Sequence, residues 1–154
     1  PDAQIDGQVS RNTKQANAIM LNRSQNKVLP KIVVIATGVN NPEDYKADID
    51  SLITNLPKGH QLVLVTPYEG DKTQATQPYV EQYASYVREV AQKYPYIEVA
   101  DWNQVAKDHP DIWKGTDHVH FGSDNTKLEA GAKLYAETIA SAIKALADEP
   151  VKSK

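Results

Sequence analysis

Three mainly apolar segments have the length expected of strands. They are Lys31–Thr37, Gln61–Thr66 and Tyr96–Ala100. The first is a continuous apolar run rich in β-branched residues, which is typical of a parallel strand that is covered on both faces. A weaker, alternating segment from Ala3 to Val9 predicts a short strand that precedes the other three.

Between these segments, apolar residues recur at helical spacing. The pattern predicts helices from Thr13 to about Val28, from Pro42 to about Leu56, from Pro78 to Tyr94 and from Ser123 to about Ala147, with a short helix ending at Lys107. Strands that alternate with helices of these lengths indicate an α/β three-layer sandwich, in which helices flank a central parallel sheet. Ligands bind such sheets at the carboxyl ends of the strands.

The composition narrows the classes of protein that fit. The 154 residues suit one domain, which we assign to residues 1–147, with a frayed tail at 148–154. The formal net charge of -3 and the absence of a basic patch argue against a nucleic-acid partner. The chain has no cysteine, which excludes disulfides, thiol catalysis and Cys-ligated zinc.

The segment Gly115–Gly122 carries an acid and a base three residues apart, directly before the last predicted helix. Asp117 can accept the Nδ1 hydrogen of His120, which leaves Nε2 free to take a proton from a nucleophile. We interpret the pair as a general base with its orienting carboxylate. The alternatives are a loop whose histidine caps the next helix, and a metal site that includes His118, although no third histidine or carboxylate cluster supports a metal. His118 is otherwise a bystander or a residue that lines the site.

Other polar and aromatic residues follow the remaining predicted strands. Gly38 permits a tight turn, after which the amide of Asn40 could face an oxyanion; the alternative is an ordinary turn with an Asn cap. The backbone N–H of Ser10 could be a second donor to the oxyanion, although a simple polar loop explains Ser10 equally well.

Tyr68 and Trp102 could line a pocket, but aromatic residues near strand ends more often belong to the core or its rim. The remaining Asp and Glu residues are expected mainly on solvated faces and in the first turns of helices.

This set of residues resembles the SGNH/GDSL hydrolase family. The resemblance rests on Gly38-x-Asn40 after a central strand and Asp117-x-x-His120 before the last helix, and it extends from about Ala3 to Ala147. More narrowly, the segment Ile5–Asn12 is similar to the second sequence block of the extracellular catalytic domains of Gram-positive peptidoglycan O-acetyltransferases. The resemblance implies a flavodoxin-like sandwich.

The resemblance also implies roles for individual residues. His120 would be the general base and Asp117 its partner, while the side-chain amide of Asn40 and the backbone N–H of Ser10 would hold the oxyanion. Relatives usually have glycine at the position of Ser10, so a site that needs positive φ would strain this serine.

The nucleophile of the family is a serine in a Gly-Asp-Ser motif after the first strand. None of the seven serines of this chain stands in such a motif. We therefore expect the first strand, the nucleophile and the helix that follows it to precede Pro1. In this fold the missing strand would lie between the strands at Ile5 and Ile32.

The resemblance finally implies a reaction. The domain would pass acetyl through an acetyl-serine to the C6 hydroxyl of N-acetylmuramic acid in the peptidoglycan glycan strand, without cofactor or metal. A membrane acyltransferase domain would deliver the acetyl donor to the extracellular face of the membrane. Two alternatives stay open: an SGNH esterase or carbohydrate deacetylase that uses the same triad, and a non-catalytic glycan-binding domain on the same fold.

Overall fold

A parallel sheet of three strands forms the centre of the computed structural model, which describes residues 4–150 and 152–154. The strands are β1 (Ile32–Ile35), β2 (Gln61–Val65) and β3 (Ile97–Ala100), in the order β1-β2-β3. In the parallel register, Ile32 lies beside Gln61 and Leu62 beside Ile97. The three mainly apolar segments of the sequence thus form the three strands.

Five α-helices accompany the sheet. They are α1 (Thr13–Gln25), α2 (Tyr45–Asn55), α3 (Gln77–Ala91), α4 (Trp102–Asp108) and α5 (Asn125–Ala147), with short 3₁₀ turns at Pro42–Asp44 and Pro110–Trp113. Within the described ranges, no helix combines the length and the apolar character that a membrane span requires.

The two faces of the sheet bury different sets of helices, which confirms the predicted three-layer α/β sandwich. Leu62 and Leu64 of β2 pack in one core with α1, α2 and α3. Val63 and Val65, which point to the opposite face, pack with α4 and α5. Because side chains alternate along a strand, burial on both faces requires the unbroken apolar run that β2 shows.

The strand predicted from Ala3 to Val9 is absent from the described part of that segment, residues 4–9; Ala3 itself lies outside the described residues. Ile5 and Val9 are 92% and 91% exposed, so the alternation has no apolar partner to pack against. Polar contacts hold the segment instead, because Arg23 binds Gln4 and Asp6. A local alternating pattern does not form a strand where no neighbouring strand accepts its hydrogen bonds.

The first helix begins at Thr13, as predicted. Asn12 is its N-cap: its side chain accepts the backbone N–H of Gln15 at 3.0 Å, and the Gln15 side chain accepts the N–H of Asn12 at 2.9 Å. This reciprocal capping box satisfies two free donors of the first turn. The hydroxyl of Thr13 is thereby left for contacts elsewhere.

Hydrogen bonds join the described part of the tail at residues 148–154 to the start of β2. Nε2 of the buried Gln61 lies 3.2 Å from each of the carbonyl oxygens of Leu146, Glu149 and Lys152. The backbone of Lys154 also pairs with His60, at 3.0 Å between N and O. The side chain of Gln61, at the start of β2, therefore contacts the carboxyl end of α5 and the segment that follows it.

Two carboxylates are buried. Asp48, in the first turn of α2, and Glu69 after β2 are both almost fully buried. Burial raises the pKa of each carboxyl group, because it disfavours the charged form. The burial of Glu69 differs from the expectation of a solvated face, and it depends on tertiary packing.

Candidate active site

Asp117 and His120 form the hydrogen-bonded pair that the sequence predicts. Nδ1 of His120 lies 2.7 Å from Oδ2 of Asp117, while Oδ1 accepts the backbone N–H groups of His120 at 2.7 Å and Val119 at 3.0 Å. These bonds, above all the one to the imidazole, lower the pKa of Asp117 to about 2. The ionised carboxylate holds a hydrogen on Nδ1, so Nε2 is the nitrogen that can accept a proton.

The pair lies on the molecular surface. The side chains of His120 and Asp117 are 80% and 59% exposed. No described residue, and thus none of the chain's serines, hydrogen-bonds to Nε2 of His120. The accepting nitrogen is therefore open to a nucleophile or a substrate that approaches from outside.

A tight turn presents the pair. The hydroxyl of Thr116 donates to the carbonyl of Trp113 at 2.8 Å and accepts the backbone N–H of His118 at 3.0 Å. His118 adopts a φ of 63°, a left-handed conformation that non-glycine residues seldom occupy. This turn lets Asp117 face back toward His120.

Phe121, the residue after His120, anchors the turn to the core. Its ring packs among Trp113, Trp102 and Tyr135, with ring centroids 5.6, 5.7 and 6.4 Å away. A Cβ atom at Gly131 of α5 would overlap the Phe121 ring, so only glycine lets the helix approach this closely. The aromatic cluster thus fixes the backbone on the carboxyl side of His120.

A cleft of ≈ 200 Å³ opens beside the pair, at the carboxyl ends of β1 and β2. It is lined by residues 36, 37, 39, 65–68, 102, 119, 121 and 135. Val119 and Val39 belong to this lining, so the loops that carry His120 and Asn40 border the same cleft. Tyr68 and Trp102 line it as well, whereas His118 does not.

Asn40 reaches the loop that contains Ser10. Its Nδ2 atom donates to the backbone carbonyl of Arg11 at 3.4 Å, which leaves the second N–H of the amide without a partner among the described residues. Ser10 has a φ of 58°, the strained left-handed conformation considered for this position in the sequence. The structure thus brings the two candidate oxyanion donors, Ser10 and Asn40, onto adjacent loops.

Glu69 is a neighbour of the pair that the sequence does not single out. Its Oε1 accepts the backbone N–H of Asp71 at 2.9 Å. Gly70, which lies between these two residues, donates its N–H to the carbonyl of His118 at 3.1 Å. The loop after β2 is therefore joined to the turn that presents Asp117. A single acid in a polar stretch gives no sequence signal for this contact.

The described residues contain no group of three or more His, Asp or Glu side chains arranged to hold a metal ion.

Comparison with solved structures identifies a relative of this chain. The chain is similar to the C-terminal catalytic domain of Streptococcus pneumoniae peptidoglycan O-acetyltransferase A (OatA), solved with a methylsulfonyl adduct. The two sequences are 68% identical, the TM-score is 0.95, and the match covers 100% of this chain and 86% of the OatA chain. No protein-family model and no curated protein matches the chain.

Proposed function

Because the chain belongs to the family of OatA catalytic domains, we propose that it transfers acetyl groups to peptidoglycan through the Asp117–His120 pair. The observation that carries the proposal is the 2.7 Å contact between Nδ1 of His120 and the carboxylate of Asp117. That contact sets Nε2 as the base, the role a serine-dependent acyl transfer requires. The acetyltransferase activity follows from the family, and the residue roles are our assignment.

In the proposed first half-reaction, Nε2 of His120 takes the proton of a serine hydroxyl while the serine Oγ attacks the acetyl carbonyl of the donor. The tetrahedral oxyanion is held by the Asn40 amide and the Ser10 backbone N–H. As the carbonyl re-forms, the donor leaving group departs with the proton from His120, and acetyl-serine remains.

In the second half-reaction, the C6 hydroxyl of N-acetylmuramic acid gives its proton to His120 and attacks the acetyl-serine. Collapse of the second tetrahedral intermediate releases the O-acetylated glycan and returns the proton to the serine. The carboxylate of Asp117 stabilises the imidazolium that forms in each half-reaction. We further propose that a membrane acyltransferase domain supplies the acetyl donor and that the reaction takes place at the cell surface.

We propose that the nucleophile is a serine that these 154 residues do not contain, since none of their serines hydrogen-bonds to His120. The related S. pneumoniae domain contains a methylsulfonyl adduct, and such adducts form when an activated nucleophile attacks a sulfonyl reagent. We therefore place the serine outside residues 1–154, in the remainder of the encoded protein.

Sulfonylation tests this placement. The full product of the encoding gene, treated with methylsulfonyl fluoride, should gain one methylsulfonyl group, and peptide mapping by tandem mass spectrometry should find it on a serine outside residues 1–154. The His120→Ala form of the same product should be modified far more slowly, because the serine loses its base. Modification of Ser10 or of any other serine within the chain would refute the placement.

A transfer assay tests the function itself. The full product should move acetyl from an aryl acetate to muroglycan oligomers, and mass spectrometry should detect the O-acetylated oligomers. Water can also attack the acetyl-serine in place of the sugar hydroxyl, so some acetate release is expected. Acetate release without any acetylated oligomer would replace the transferase assignment with that of an esterase.

A further inference from the structure

Three hydroxyl groups meet beside the cleft: those of Thr13 and Tyr83 are buried, and that of Thr37, which lines the cleft, is partly buried. Oγ1 of Thr13 lies 2.9 Å from both the hydroxyl of Tyr83 and Oγ1 of Thr37, and the last two lie 3.4 Å apart. Thr13 and Tyr83 are each only 2% exposed. We call this set the hydroxyl triangle. Burial raises the pKa of Tyr83, so its hydroxyl stays protonated and can donate.

The hydroxyl triangle connects three separate elements. Thr13 is the first residue of α1, Thr37 follows β1, and Tyr83 lies in the middle of α3. Thr13 comes three residues after Ser10, and Thr37 comes three residues before Asn40. The hydroxyl triangle therefore connects the end of the loop that carries Ser10 to the start of the loop that carries Asn40.

The Tyr83 ring also supports the turn between Thr37 and Asn40. Gly38 has a φ of 116°, and a Cβ atom there would lie 2.9 Å from ring atoms of Tyr83 and from Cγ of Pro67. The backbone at Gly38 therefore packs directly against the Tyr83 ring, which restricts movement of the turn.

We propose that Thr13, Thr37 and Tyr83 are positioning residues, which set the distance between the Ser10 and Asn40 oxyanion donors. The inference rests on the proposed function of those donors. If these side chains served only to fill space in the core, apolar residues would suffice, because a buried hydroxyl is unfavourable unless it is hydrogen-bonded. The three mutual bonds satisfy the hydroxyls and at the same time give the two loops one relative placement.

Small displacements of oxyanion donors have large kinetic effects. The donors must lie within hydrogen-bonding distance of the charge that develops in the transition state, and a shift of about 1 Å can lower the rate by about 10²-fold. Loosening the hydroxyl triangle should thus lower kcat while KM stays nearly unchanged, since the donors act on the transition state more than on the bound substrate.

Thr13→Val is the variant that tests the inference, because Thr13 makes both of the shorter bonds. In the full gene product, it should lower kcat about 10-fold with little change in KM. Thr13→Ser keeps the hydroxyl and should restore kcat to near the wild-type value. Thr138→Val is the matched control, since it removes a threonine hydroxyl that bonds only the Leu134 carbonyl of its own helix, at 2.8 Å.

The same substitution in an Asn40→Ala background separates positioning from general destabilisation. If Thr13 acts through the donors, Thr13→Val should lower kcat much less once the Asn40 amide is gone, so the two effects are not additive. A loss of folded protein would instead reduce the rate by the same factor in both backgrounds, which would refute the inference. Should Thr13→Val fail to fold, Tyr83→Phe serves in its place, since it keeps the ring under Gly38.

The outcomes distinguish this inference from the proposed function. A large loss for Asn40→Ala together with a wild-type rate for Thr13→Val would overturn the positioning role and leave the oxyanion assignment intact. A wild-type rate for Asn40→Ala would overturn the oxyanion assignment, and the positioning role with it.

Discussion

Replacing His120 with alanine should lower kcat for acetyl transfer by about 10³-fold or more, since the serine then lacks its base in both half-reactions. The free energy of unfolding should change little, because the imidazole is 80% exposed and contacts the protein mainly through Asp117. Steady-state transfer kinetics and urea denaturation of the full gene product measure the two effects separately.

His60→Ala is the matched control for the loss of an imidazole. His60 precedes β2, at the opposite end of the sheet from the cleft, and its Nδ1 lies 2.8 Å from the carbonyl of Pro30. Its removal should leave kcat near the wild-type value. If His120→Ala retained wild-type kcat, His120 would not be the base and the proposed mechanism would be wrong.

Asn40→Ala is expected to reduce kcat by about 10²–10³-fold, the usual effect of removing one oxyanion donor. KM should change much less, since the bond strengthens only as the tetrahedral intermediate forms. The assay is again acetyl transfer to muroglycan oligomers, with kcat and KM determined separately.

Asn26→Ala provides the control for Asn40. Asn26 also donates its Nδ2 hydrogen to a backbone carbonyl, that of Asn22 at 3.0 Å, but it lies at the opposite end of α1 from the site. Its replacement should leave the transfer rate unchanged. An equal fall in kcat for both variants would point to a general effect on folding and would remove Asn40 from the oxyanion role.

The carboxylate of Asp117 does not titrate in the range where the enzyme would work. Its pKa is lowered to about 2, chiefly by the hydrogen bond from His120. A depressed pKa means that the bond contributes stability above the ordinary pKa of the acid, and that this contribution is lost as the pH falls through about 2. A decline of activity in mild acid would therefore originate from another group of the site.

The sequence predicts the parts of the fold that depend on local pattern. Mainly apolar segments identify β1, β2 and β3, because strands that are covered on both faces carry few polar residues. The Asp117–His120 pair is predictable for a similar reason, since the two residues are close in sequence and one turn suffices to join them.

Features that depend on distant partners escape such prediction. The alternation of Ile5 and Val9 suggests a strand, yet these residues are exposed in the structure and pair with no described strand. Thr13 and Tyr83 are 70 positions apart, and their hydroxyls are unremarkable until α1 and α3 pack together. The burial of Glu69 likewise depends on contacts that no local window contains.

The open placement of Asp117 and His120 bears on how a polymer would be modified. A base enclosed in a tunnel can act only on a strand that is threaded from one end, whereas the described residues place no such enclosure around this pair. A glycan strand could lie across it and be modified at any internal muramic acid without a free terminus. Such access suits a cross-linked wall, where chain ends are scarce and whole strands cannot be drawn through a pore.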